Sequence, residues 1–233
     1  MISKLSKNRK KILKEIDLEK SYTLDEALDV IKNTSKTKFD ETIEMAINLN
    51  LNVDKPDQAI RGVISLPNGV GKKLRVAVIA KDNEAEEAKK SGADLVGDKD
   101  LLSNIQKGEI NFDRLISTPE MMPEVGKLGQ ILGPKGLMPN PKLGTVTKDT
   151  AAAVKEAKQG QIQYKNDKSG IIHAGVGKVS FEKNKLIENI KVFFNTIAKN
   201  RPEGIKGNFV KKVSIASTMG LGIKLNVAEL QKS

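Results

Sequence analysis

Between residues 42 and 51 two sets of side chains alternate: Ile43, Met45, Ile47, Leu49 and Leu51 against Thr42, Glu44, Ala46, Asn48 and Asn50. A period of two sends the sets to opposite faces, so the spacing predicts a strand with one face in a core and one free. Upstream, Thr23-Leu24-Asp25-Glu26 has the form of a capping box, in which a hydroxyl and a carboxylate satisfy helix-terminal amides reciprocally, and a helix to about Lys32 follows. Val63 to Leu66 reads as a short strand closed by a Pro67-Asn68-Gly69 turn.

From Leu74 the pattern changes. Continuous apolar runs (Leu74 to Ala80, Leu95-Val96, Leu115-Ile116) alternate with helical stretches at Glu84 to Lys90, Asp100 to Lys107 and Pro119 to Leu132, the last with Thr118 as cap and Pro119 in its first turn. Such alternation predicts βαβ units and a small parallel sheet covered by helices on both faces. The proline- and glycine-rich run 132–142 fits no regular element, and Thr150 to Lys158 makes a further helix with Gly160 just past its end. Alternation then returns. Ile162 and Tyr164, a turn at 166–170 and Ile171 to Val179 read as a hairpin. Ser180 precedes a helix striped by Leu186, Ile187, Ile190, Phe193, Phe194 and Ile197. Strands at Phe209 to Ser217 and Ile223 to Val227, joined by Thr218 to Gly222, end the pattern.

The two ends therefore share an antiparallel α+β character and the middle is α/β. The simplest architecture is a discontinuous α+β domain from residues 1–67 and 160–233 with an α/β domain, 68–159, inserted into it; a single three-layer domain is the alternative. Pro67, Gly69 and Gly71 on one crossing, with Gln159 and Gly160 on the other, would form a paired hinge.

Composition narrows the chemistry. The 233 residues carry 40 Lys and Arg against 29 Asp and Glu, a net charge of +11 that favours a polyanionic partner. The excess is uneven: residues 160–233 hold 13 basic and 5 acidic groups, whereas 1–67 and 68–159 are nearly balanced. No stretch reaches the roughly 18 apolar residues of a membrane span, and the basic amphipathic start Lys4 to Lys14 lacks the apolar core of a signal peptide, so a cytoplasmic protein is expected. With no Cys and only His173, thiolate nucleophiles, Cys-ligated zinc and His-pair metal sites are absent, and neither a cofactor nor an enzymatic activity is expected. Six Phe, two Tyr and no Trp are too few for stacking splayed single strands, so shape and backbone contacts should dominate any RNA binding.

Gly69 to Lys73 and Gly129 to Gly136 resemble phosphate-cradling loops but lack their frame or their strand-to-helix setting. Met121 and Met122 fit a helix face. His173 lies in a strand with nothing nearby in sequence to orient it. Residues 38–44 set a cation, a ring and acids at a strand mouth, and Thr218-Met219-Gly220 pairs a hydroxyl and a flexible apolar cap with a glycine that permits close approach to a ribose edge. Each alone is also an ordinary strand entry or turn.

Taken together, several motifs resemble the bacterial large-subunit ribosomal protein L-one family. They are Leu132-Gly133-Pro134-Lys135-Gly136-Leu137-Met138-Pro139-Asn140-Pro141-Lys142-Leu143-Gly144-Thr145-Val146, Lys38 to Thr42, Arg61-Gly62 through Pro67, Lys165 to Gly170, Arg201-Pro202-Glu203-Gly204 through Gly207, and Thr218-Met219-Gly220. They run in order over essentially the full chain, with Lys135 where Arg is common. The resemblance implies a discontinuous RNA-binding domain and an inserted Rossmann-like domain joined by a hinge. It implies a monomer when free that binds 23S rRNA in the stalk of the large ribosomal subunit, assists departure of deacylated tRNA from the exit site, and represses its own operon mRNA through a mimic of the rRNA site. Carried onto this sequence, the gripping face is Lys38, Phe39, Thr42 and Glu44 with Ser217, Thr218, Met219 and Gly220, and secondarily Lys165, Lys168 and His173. An RNA-modifying or nucleotide-dependent enzyme using the middle domain, and an indiscriminate polyanion binder, are the competing classes.

Overall fold

The computed structural model describes residues 12–232 except 14, 15, 18, 54, 56, 57, 203 and 206. Most of the expected basic start Lys4 to Lys14, and Glu203 and Lys206 of the Arg201 to Gly207 motif, lie outside the described residues. In chain order the elements are α1 (Leu24–Thr34), β1 (Thr42–Leu49), β2 (Arg61–Ser65), β3 (Val76–Ile79), α2 (Asp82–Lys90), β4 (Leu95–Gly97), α3 (Lys99–Gln106), β5 (Arg114–Ser117), α4 (Met122–Gly126), α5 (Gly129–Leu132), a 3-10 turn (Pro141–Leu143), α6 (Thr150–Lys158), β6 (Gln161–Lys165), β7 (Ile171–Lys178), α7 (Lys183–Lys199), β8 (Val210–Ser217), β9 (Ile223–Leu225) and α8 (Val227–Lys232). It is a mixed α/β chain in two compact units: Met1–Arg61, Leu66–Val70 and Tyr164–Ser233 form the first, Gly62–Ser65 and Gly71–Gln163 the second.

In the first unit β7, β1, β8 and β9 lie in that order, each antiparallel to its neighbours. Ile43, Met45, Ile47 and Leu49 are buried, as are Leu28 and Ile31 of α1 and Leu186, Ile190, Phe193, Phe194 and Ile197 of α7. The Phe193 ring meets Tyr164 edge-on at 6.2 Å. The capping box forms: Thr23 Oγ1 accepts from Glu26 N and Glu26 Oε2 from Thr23 N, at 3.3 and 3.2 Å. Against β1 the register of β7 slips between Ile43 and Glu44. There the buried Asn189 of α7 donates to the carbonyls of Val176 and Gly69 and accepts from Asn68 N, so one amide satisfies the irregular strand and pins the turn after Leu66.

In the second unit β4, β3 and β5 form a parallel sheet in that order. Ala77, Ile79 and Leu115 pack with Leu102, Ile105, Val125 and Leu132, while Val76, Val78 and Ile116 pack with Ala88, Val154 and Ala157. Consecutive residues thus enter opposite cores, as an uninterrupted apolar strand requires. The run 132–142 is held by its own side chains. Thr145 Oγ1 accepts from Asn140 N and donates to Asn140 O, Asn140 Oδ1 accepts from Lys142 N, and Leu137 and Met138 pack on the core.

Three local expectations are corrected. The helix over Pro119 to Leu132 is two short ones, interrupted at Lys127 and Leu128 between Gly126 and Gly129, and the first begins at Met122 with Pro123 in its first turn; Thr118 is buried and its side chain caps nothing. Two glycines three residues apart weaken a helix by about 1 kcal/mol each. The expected hairpin does not form: β6 pairs with β2 and β7 with β1, leaving one Asn166–Ile172 bridge between them. Asn166 explains the switch, because it exchanges two hydrogen bonds with Ile60 while the Asp167 carboxylate accepts from Ser169 N and Ile171 N to turn the chain. Finally, β9 stops at Leu225 and Val227 opens α8.

Candidate nucleic-acid interface

The pleat of β1 turns Thr42, Glu44, Ala46 and Asn48 away from the helices, and the register fixes their neighbours. Glu44 lies between Gly175 and Ala216, Ala46 between His173 and Ser214, and Asn48 between Ile171 and Lys212; Ser214 in turn faces Lys224. The outer face therefore has small residues along its middle and exposed Lys212, Lys224 and His173 around them. Small side chains let a nucleic-acid backbone approach the sheet, and flanking cations are placed for phosphates.

One end of this face is tightly built. Phe39 is 55 % exposed and Met219 71 %, among very few large apolar side chains so placed. Thr218 Oγ1 accepts from Thr42 N at 3.0 Å and lies 3.4 Å from Thr42 O, tying the β8–β9 loop to the start of β1. Lys178 Nζ donates to Thr42 Oγ1 at 2.8 Å, and Asp40 accepts from Ser180 Oγ and Ser180 N. Ser180, preceding α7, thus serves this end and not the helix, which begins after Glu182. Gly220 closes the loop onto the carbonyl of Ser217, where a Cβ would collide with the Ser217 side chain. Its lack of a side chain therefore serves this turn, and not only the approach to a ribose edge that its sequence setting suggests.

Beneath Met219 lies Glu41, 2 % exposed, whose Oε2 accepts from Met219 N and Oε1 from Thr37 Oγ1, both at 3.0 Å. Burial pushes this carboxyl up, but the Met219 amide and the hydroxyls of Ser217, Thr37 and Ser35 outweigh it and hold it below its ordinary value. The Ser217 and Ser35 hydroxyls do so from outside hydrogen-bond geometry.

The structure thus brings Phe39, Thr42, Ser217, Thr218, Met219 and Gly220 to one end of the sheet, next to exposed Lys38, and Glu44 and His173 to its outer face. Lys165 and Lys168 are elsewhere. The 166–170 turn meets the far end of β1, where Leu49 N donates to Gly170 O, about 23 Å along the strand from Thr42. His173 is not without an orienting group: Asp167 Oδ2 is 3.8 Å from its Nε2. The Asp167 carboxyl is lowered, mainly by the Ile171 amide and against some desolvation, with Ser169 N and His173 adding to it.

Sequence reasoning passes over Lys178, Lys212, Ser214, Lys224 and Glu41. The first four are within its reach, because Val213, Ile215 and Ser217 alternate inward and leave Lys212, Ser214 and Ala216 outward; pairing with Lys224 needs the register. Glu41 stands within the Lys38 to Thr42 motif, but nothing in that motif signals its burial, since a carboxylate at a strand entry normally faces water. Among the described residues no cluster of His, Asp and Glu is placed to hold a metal, and no helix is long and apolar enough to cross a membrane.

The family model described as the ribosomal protein L1p/L10e family matches residues 31–221, spanning β1, the whole second unit, and the sheet through the Thr218 to Gly220 loop. A match over most of the chain agrees with the motifs, the basic final third and the exposed sheet face: the chain belongs to the ribosomal protein L1p/L10e family, large-subunit ribosomal proteins that bind rRNA.

Proposed function

We propose that the outer sheet face of the first unit, with its Phe39 and Met219 end, grips folded 23S rRNA of the L-one stalk. Lys38, Lys178, Lys212 and Lys224 supply salt-dependent contacts to phosphates, and Phe39, Glu44 and the Thr218 to Gly220 loop select the RNA by its ribose and base edges. The observation that carries this reading is the pair of exposed apolar side chains on segments tied together through Thr42 and Thr218. Two exposed apolar side chains held side by side by hydrogen-bonded backbone suit a surface that a partner covers.

On this reading the first unit is a discontinuous RNA-binding domain and the second an inserted Rossmann-like domain, with Pro67, Gly69, Gly71, Gln159 and Gly160 as hinge. The left-handed backbone of Gly69, Gly71 and Gly160, at φ 65, 74 and 94°, supports that role. The protein works on the ribosome in the cytoplasm, as a monomer when free, without cofactor or catalysis. It assists release of deacylated tRNA from the exit site and represses its own operon mRNA through a copy of the rRNA site. A competition assay at fixed salt with stalk rRNA, a scrambled hairpin and duplex RNA tests it. Preference for the stalk fragment of about 10³-fold is expected, whereas equal binding of all three identifies an indiscriminate polyanion binder.

A further inference from the structure

Glu41 is the one fully buried carboxylate among the described residues, and it lies under two of the most exposed apolar side chains. Burying a carboxylate is unfavourable unless its oxygens are saturated, and here each has a partner from a different segment. Met219 N donates to Oε2. Thr37 Oγ1 lies 3.0 Å from Oε1 and 2.9 Å from the carbonyl of Phe39, and its one hydrogen is shared between these two acceptors. The Glu41 main chain is itself fixed by Val179 N, which donates to its carbonyl at 2.9 Å. From one anchored residue a bond therefore runs to the Met219 backbone, and the Thr37 hydroxyl beside it lies against the Phe39 carbonyl, although Phe39 and Met219 stand 180 positions apart in sequence.

Resting on the proposed RNA grip, we propose that Glu41 is a positioning residue for it, holding the Met219 backbone in its RNA-bound arrangement before RNA arrives. It touches no RNA itself. Its effect is to remove loop ordering from the cost of association, so its loss shows as faster dissociation. Glutamine could turn its oxygen to the Met219 amide and its NH2 to Thr37 Oγ1, whereas leucine fills similar space and removes both acceptors, which makes Glu41→Leu the informative change.

The test measures affinity and dissociation of full-length protein with the stalk rRNA fragment for wild type, Glu41→Leu, Met219→Ala, Phe39→Ala and the double variant Glu41→Leu/Met219→Ala, with exchange of the Met219 amide. Glu41→Leu should lose about ten-fold in affinity through dissociation, leave the salt slope unchanged and speed exchange at Met219. In the Met219→Ala background its effect should shrink to less than about two-fold, a non-additivity that general destabilisation does not produce. Wild-type affinity for Glu41→Leu, or an undiminished effect in that background, overturns the proposal. Should Glu41→Leu not fold, Thr37→Val removes one donor while keeping the carboxylate, and it must show a smaller effect with the same dependence on Met219. If Phe39→Ala and Met219→Ala also bind normally, the RNA grip falls too; if they weaken binding and Glu41→Leu does not, only the positioning role is wrong.

Discussion

β1 is an inner strand of its sheet and β5 an edge strand of its own, and they spend their side chains differently. In β5, Leu115 enters one core and the adjacent Ile116 the opposite one, so neither face is left for a partner. In β1, Met45 is fully buried and its neighbour Glu44 points to solvent. A sheet covered on both sides can meet ligands only at its edges and strand ends, whereas a sheet covered on one side has a whole surface to offer. Of the two, only the first unit's sheet leaves a whole face open, which is the face the proposed grip uses.

Substitutions on adjacent residues probe that contrast. Leu115→Ala and Ile116→Ala should each destabilise by about 2–5 kcal/mol, and so should Met45→Ala, but Glu44→Ala should stay within about 0.5 kcal/mol of wild type. Chemical denaturation reads all four, and a stable Ile116→Ala would show that one face of β5 is not core. Next in size, Phe39→Ala and Met219→Ala should each weaken stalk rRNA binding by about 2 kcal/mol with thermal midpoints unmoved. Smaller again, Lys212→Ala and Lys224→Ala should lower affinity for every RNA alike and flatten the salt dependence by about 0.9 for each phosphate no longer neutralised.

The least effect belongs to the second unit. The Asp94 carboxyl is held below its ordinary 3.8, chiefly by the Val76 amide at 2.9 Å and against some desolvation, with Lys158 at 3.1 Å adding to it. A depressed folded value means that its contribution is complete above the ordinary carboxylate range and disappears as pH falls through the folded value. Asp94→Asn should thus lower the thermal midpoint slightly at neutral pH and converge with wild type in strong acid. A gap that persists in strong acid, below the folded value, contradicts this.

Periodic patterns carry much of the fold. The alternation at Ile43 to Leu49, the Thr23 to Glu26 capping box, the stripe of α7 and Gly160 after α6 are all realised, because each depends on residues within a turn or two. Of the failures, the broken 119–132 helix is local, at Gly126 and Gly129, and the hairpin depends on a distant partner. The hairpin reading of Tyr164 and Ile171 is locally sound, but Ile60, about a hundred residues earlier, claims Asn166 and sends β6 to β2. At the site, Phe39 and Thr218 to Gly220 are visible through motif resemblance. Glu41 lies in the same motif as Phe39, but its burial is not visible there, since it is created by a loop 178 residues away.

Backbone amide shifts of the full-length protein, recorded as stalk rRNA is added, show where the RNA lies. The expected changes cluster at Phe39, Thr42 to Asn48, Lys212 to Ser214, Met219 and Lys224, with the strands of the second unit unmoved. Changes confined to residues 72–163, with Phe39 and Met219 silent, would place the RNA on the other unit and overturn the assignment of the sheet face.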